Sequence, residues 1–183
     1  HNNSKDTLDY LWMQLDQNLF DPKMMAHQSR TTSGLNDQSF NQFEGLLNAQ
    51  KFDGGYKITA VKDAAGKLLK HVIVHTMMRI IPPQPLKPGG KITFSVDWSF
   101  NIIDATKIRS RMGYEFFEED KNHLYALAQW FPRMCAYTDV TGWQNKQFLG
   151  TGEFALEFGD YLVRITAPAD HIVASTGELQ NPE

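Results

Sequence analysis

Histidine is the side chain best suited to binding a metal or moving a proton near neutral pH. Two of the six histidines stand close together in "HVIVH" (His71 and His75). An i, i+4 spacing unites two zinc ligands only on a helix. The three β-branched residues between them favour a strand instead. On a strand the pair sits about 13 Å apart on one face, and ligands of one zinc ion must each lie within about 2.1 Å of it. The expectation is therefore two half-exposed sheet histidines and no metal.

Other constellations are weaker. "EEDK" (Glu118, Glu119, Asp120, Lys121) pairs carboxylates, but exposed acids lack the burial that tunes a catalytic pKa, so it reads as a solvated turn. "KPGGK" is neither a phosphate-binding loop nor a dinucleotide fingerprint. There is no GxSxG elbow. The only cysteine, Cys135, lies between Met134 and Ala136 with no local base, and reads as a small buried apolar residue. No catalytic residue is nominated.

The densest stretch is "LAQWFPRMCAYTDVTGW", residues 127–143. Read as a strand, Tyr125, Leu127, Gln129 and Phe131 share one face, and Leu124, Ala126, Ala128 and Trp130 the other. Both faces are largely apolar, as in a strand covered on two sides. Gln129 then needs a hydrogen-bonding partner, and Pro132 ends or distorts the ladder. Two readings stay open: Gln129 bonds a neighbouring loop within a core of aromatics, or the strand shapes a binding site.

The elements that would position these residues are mostly strands. "TLDYLWMQLDQNLF" fits a helical stripe or a strand equally well. "DPKMMAHQSRTTSGLNDQ" is a polar loop, and "SFNQFEGLLNAQ" a short helix capped by Ser39, with Phe40, Phe43, Leu46 and Leu47 on one face. "GGYKITAVKDAAGKLLKHVIVHTMMRII" reads as a strand, a turn at Asp63–Gly66 and one or two more strands. "PPQPLKPGG" is a rigid connection. "KITFSVDWSFNI" alternates, with Ile92, Phe94, Val96 and Trp98 on one face. "GYEFFEEDKNHLYALAQWF" predicts a hairpin turning in "EEDKN". "EFALEFGDYLVRITAP" predicts another, turning at Gly159–Asp160, and "DHIVASTGELQNP" a short strand and a turn. The sum is an all-β, mainly antiparallel sandwich with at most one or two short helices.

The 183 residues suit a single domain, with 42% hydrophobic residues to supply a core. At net charge −3, with scattered basic residues, the chain has no footprint for nucleic acid. The nearest basic cluster, "KIRSR" at 107–111, reads as a solvated loop. No apolar run reaches membrane-spanning length. The sequence starts without methionine, so a processed form or a fragment is expected.

Three segments carry a family resemblance: "HNNSKDTLDYLWMQLDQN", "PLKPGGKITFSVDW" and "RMGYEFFEEDKNHLYALAQWFPRMCAYTDVTGWQNKQFLGTGEFALEFGDYLVRITAPADHIVASTGELQNP". Together they resemble the N-terminal domain of zinc metallopeptidases of the aminopeptidase N type, peptidase family M one, in a bacterial subgroup. The ordered series "AQWFPRM…GW…GEF…ITAP…VAS.GEL.NP" is the specific part.

The resemblance implies an antiparallel, saddle-like β-sandwich spanning 1–183, lacking its first strands and a downstream catalytic domain. It tips residues 8–16 toward a strand. The family's HExxH helix, later glutamate and Gly-x-Met-Glu-Asn-like loop are absent from this sequence. No cofactor is therefore expected in this chain, and zinc is expected in the missing catalytic domain. The implied partners are that domain and a peptide substrate, and export to the periplasm or cell envelope is implied too. In the family a Gln-x-Glu/Gln strand holds the substrate's free amine. Gln129 matches the first position, while Phe131 departs from the second, since an ammonium needs acceptors and phenylalanine offers only a ring face. Gln129, Trp130 and Phe131 are the substrate-binding residues so implied. The other reading is a free-standing ligand- or carbohydrate-binding sandwich using Trp12, Trp98, Trp130 or Trp143 as platforms.

Overall fold

The structure is a computed structural model that describes residues 1–24, 39–108, 110–150 and 156–180. Most of the polar segment after Asp21, the motif residues Gly152, Glu153 and Phe154, and Arg109 of the basic cluster lie outside them.

Leu11–Gln14 forms β1, which settles the ambiguous first segment as a strand. A short 3-10 turn follows at Asp16–Phe20. Then come α1 (Phe40–Lys51), β2 (Lys57–Asp63), β3 (Lys70–Val74), β4 (Met77–Ile81) and β5 (Phe94–Ser99). The series ends with β6 (Gly113–Phe117), β7 (Asn122–Ala126), β8 (Arg133–Met134), β9 (Tyr137–Thr138) and β10 (Gly142–Trp143). The fold is all-β and mainly antiparallel, with one α-helix among the described residues.

Local chemistry accounts for much of this. Asp63 Oδ1 accepts from the backbone of Ala65 and Lys67, and Gly66 takes φ +80°, so the predicted turn closes where expected. β3 and β4 pair across the two-residue turn His75–Thr76. Ser39 closes a capping box with Gln42 at the start of α1. The apolar face of that helix stays outside, with Phe40 78% and Phe43 44% exposed.

Two layers enclose the core. The sheet β3-β4-β1-β8 supplies Leu11, Met13, Met78 and Ile80. The β2–β5 ribbon supplies Val61, with Ile58, Phe94, Val96 and Trp98 packed against the same cluster. The alternation read in "KITFSVDWSFNI" is visible in β5, where Phe94, Val96 and Trp98 turn inward and Ser95, Asp97 and Ser99 outward. Asn2, 2% exposed, ties the first residues down by donating from Nδ2 to the Leu86 carbonyl at 2.9 Å.

Three expectations need correction. The hairpin β6–β7 turns in "EEDKN" as predicted, but β7 stops at Ala126, so Gln129, Trp130 and Phe131 are not on a strand. The hairpin turning at Gly159–Asp160 does not form. Leu156 makes one antiparallel bridge to Cys135, and residues 157–168 run on without pairing. No strand forms at 170–180 either. Period-two alternation selects a face, but a strand also needs a neighbour's hydrogen bonds.

Candidate functional site

After Ala126 the chain leaves the ladder, and Gln129 adopts φ +53°. For a residue with a Cβ this left-handed backbone costs roughly 1–2 kcal/mol. Two distant side chains hold it there. Tyr56 Oη donates to the Gln129 carbonyl at 3.0 Å, and Gln17 Nε2 donates to the same oxygen at 2.9 Å. Gln17 Nε2 also reaches the Ala128 carbonyl at 3.3 Å. Tyr56 is 9% exposed, and burial, helped by the nearby Asp16 carboxylate, pushes its phenol far above the usual range. It is therefore a dependable donor.

With its backbone so fixed, Gln129 is half-buried. Among the described residues its amide has no hydrogen-bonding partner. It borders an open groove of about 430 Å³. It is lined by Leu127, Gln129, Trp130 and Phe131 from one segment and by Leu156, Glu157, Phe158 and Tyr161 from another, together with Arg133 and Met134. Trp130 leans on Trp98 with ring centroids 5.8 Å apart, and Phe131 meets Trp130 at 5.0 Å and Tyr161 at 5.9 Å. All three nominated residues thus line one groove, brought together by a bend.

Under the groove lies a buried polar cluster. Arg133 donates from Nε to Asp16 Oδ2 and from Nη2 to Asp16 Oδ1, each at 2.9 Å. Gln14 Nε2 donates to Asp16 Oδ1, while Gln14 Oε1 has no partner among the described residues. Asn18 joins the β3–β4 turn to the residue before β2, donating to the His75 carbonyl at 2.7 Å and accepting from the Tyr56 amide at 2.8 Å. Planar, bidentate guanidinium pairing gives this cluster a fixed geometry.

The histidine pair is separated by its backbone. His71 lies on β3, half-buried, whereas His75 sits in the turn at φ +52° and is exposed, which corrects its placement on the sheet. Among the described residues no three His, Cys, Asp or Glu side chains converge as a metal site. Cys135 is fully buried, and desolvation, with Asp16 nearby, pushes its thiol up to about 12. It is no nucleophile at neutral pH. The tryptophans nominated as sugar platforms are half-buried. Trp98 and Trp143 pack on the core, and Trp12 sits beside Tyr10 and under Arg79.

Sequence reasoning missed Asp16, Gln17, Tyr56 and Arg133. The one signal was the run of polar residues Gln14, Asp16, Gln17 and Asn18 among apolar Leu15 and Leu19, at the end of a buried strand.

No family model matches this sequence, and neither a curated protein nor a solved structure matches it.

Proposed function

We propose that this chain is the non-catalytic N-terminal β-domain of a zinc aminopeptidase of the family M one type. It packs on that enzyme's catalytic domain and forms the wall of the cleft that receives the substrate's N-terminal residue. Zinc belongs to the catalytic domain, since this sequence has no HExxH. The reading starts from the ordered motif resemblance. The observation that carries it is Gln129: its backbone is clamped by Tyr56 and Gln17, it lines the groove, and its side-chain amide has no partner among the described residues. An amide so placed offers its oxygen to a substrate amine.

Phe131 stands where an acceptor is expected, and the surrounding walls are Leu127, Trp130, Leu156, Phe158 and Tyr161. Such a surface suits an apolar N-terminal residue. No helix among the described residues is long and apolar enough to cross a membrane.

The test is the polypeptide encoded by the entire reading frame. Its zinc content and hydrolysis of aminoacyl nitroanilides are measured with and without a chelator. Chelatable hydrolysis is expected, with Gln129→Ala raising KM about tenfold for the lost hydrogen bond to a charged group. A full-length polypeptide without zinc-dependent hydrolysis overturns the peptidase reading. Unchanged kinetics in Gln129→Ala overturns the role of this groove alone.

A further inference from the structure

One strand of the main sheet lacks a neighbour, and one strand-like segment lacks a sheet. β3 is the edge of the order β3-β4-β1-β8. In an antiparallel ladder alternate residues direct N–H and C=O away from the partner, so an edge strand offers a row of open groups. Besides β4, the only contact to the β3 backbone among the described residues is Gln147 Nε2, which donates to the Val74 carbonyl at 2.9 Å. Its one lysine, Lys70, stands at the end and does not guard the middle. Val72, Ile73 and Val74 are 46%, 40% and 48% exposed.

Residues 162–166, Leu-Val-Arg-Ile-Thr, are the complement. Their composition favours a strand and includes neither glycine nor proline. Their backbone makes no hydrogen bond among the described residues, and Leu162, Val163 and Ile165 are 69%, 47% and 50% exposed. Within one chain the two stand apart. Leu156, the root of this arm, bridges Cys135 next to β8, at the edge opposite β3. Three strand spacings, about 14 Å, separate β3 from β8. The whole chain exposes 13403 Å². A folded monomer of 20.9 kDa exposes about 9,000 Å². The excess is larger than the roughly 800 Å² that each partner buries in a stable dimer.

We propose that this chain forms a two-fold dimer by β-augmentation, with residues 162–166 of each copy adding a strand to β3 of the other. The partner is a second copy because the chain carries both halves of the contact, a free strand and a free edge of matching length. Reciprocal use satisfies both at once and closes the assembly. Charge permits it in either direction. With full overlap Arg164 falls opposite Val72, and Lys70 opposite Thr166 or Leu162, so no like charges meet. The contact does not depend on the peptidase reading.

Sedimentation velocity of the chain from about 1 to about 100 μM spans the upper part of the Kd range for such an interface. A monomer–dimer equilibrium is expected. Hydrogen exchange at the two ends of that range should show slower amides in 70–74 and 162–166 in the concentrated sample. Val163→Pro/Arg164→Pro takes the N–H from two successive residues, one of which must face the partner. It should weaken dimerisation about tenfold or more. The melting temperature of the dilute variant should match that of the unaltered chain, since 162–166 are unpaired in the monomer. The exchange pattern of the unaltered chain decides the matter even if the variant misfolds. The proposal is overturned by a chain that stays monomeric at the highest concentration, by a dimer protected elsewhere, by undiminished dimerisation of the proline variant, or by growth beyond a dimer. Protection of 162–166 seen only in the polypeptide encoded by the entire reading frame overturns it too, and gives the segment to another domain.

Discussion

Asp16 and Arg133, 117 residues apart, meet through two parallel hydrogen bonds of 2.9 Å, with the Asp16 side chain 1% and that of Arg133 25% exposed. The pair fastens β1 and its 3-10 turn to β8, under the groove that Gln129 borders. Its removal is informative because a buried charge stripped of its partner is strongly destabilising. Arg133→Met is expected to cost about 3–5 kcal/mol in urea unfolding. The double variant Asp16→Leu/Arg133→Met should recover most of that, since neither charge is then stranded. A single-variant loss well below 1 kcal/mol shows that solvent compensates the carboxylate.

Gln129 allows stability and function to be pulled apart. At φ +53° a glycine relieves the backbone. Gln129→Gly should therefore raise stability by about 1 kcal/mol while deleting the side-chain amide. Gln129→Val, β-branched, should lower it. Melting temperatures of the two variants check the order, and the same order reversed removes the argument that Tyr56 and Gln17 hold a strained residue.

Gly54 is needed for its lack of a side chain. A Cβ there would lie 2.2 Å from the Phe20 carbonyl oxygen and 2.6 Å from its carbon. Backbone cannot step aside as a flexible side chain can. Gly54→Ala is expected to destabilise by about 1–3 kcal/mol, the range for overpacking. A melting temperature equal to that of the unaltered chain counts against this close approach.

Ser39→Ala removes the side-chain half of the capping box of α1, at a cost of about 1 kcal/mol. Since α1 buries no residue, the loss should fall on the helix itself and not on global unfolding. Amide exchange over 40–51 should quicken while the urea midpoint stays put. A shifted midpoint shows instead that α1 unfolds with the core.

Alkaline pH should weaken the fold through its buried acids. Cys135 ionises at about 12 when folded, against 9.0 ordinarily, and Tyr56 is raised further from 10.0. The unfolded chain thus releases these protons first, and stability present below pH 9 is lost as pH rises through the interval. Each group contributes a slope of about 1.4 kcal/mol per pH unit. Cys135→Ala should flatten the limb between pH 9 and 10, before Tyr56 takes part. Identical pH profiles for the two chains contradict the assignment.

Elements set by their own residues were legible in the sequence. Ser39 and Gln42 mark the start of α1, Asp63 and Gly66 the turn before β3, and alternating Phe94, Val96 and Trp98 the inner face of β5. The site was legible only as a composition. Nothing near Gln129 announces its left-handed backbone, because the groups that impose it, Tyr56 and Gln17, lie 73 and 112 residues away. Pro132 marked a break in the ladder, yet the chain had already left it six residues earlier, after Ala126. The stretch from Leu156 to Pro168 shows the opposite failure. Its alternation is clear, but only Leu156 makes a β-bridge, to Cys135.

Cys135 also makes the molecule its own stopwatch. It is the sole thiol, fully buried, with its sulfur 3.9 Å from that of Met77. A maleimide can reach it only after the seam between β1 and β8 has parted. With reagent in excess, the labelling rate becomes the opening rate of that seam, read from one atom and without an engineered probe. A peptide bound in the groove, which Arg133 and Met134 of β8 line, should slow that clock.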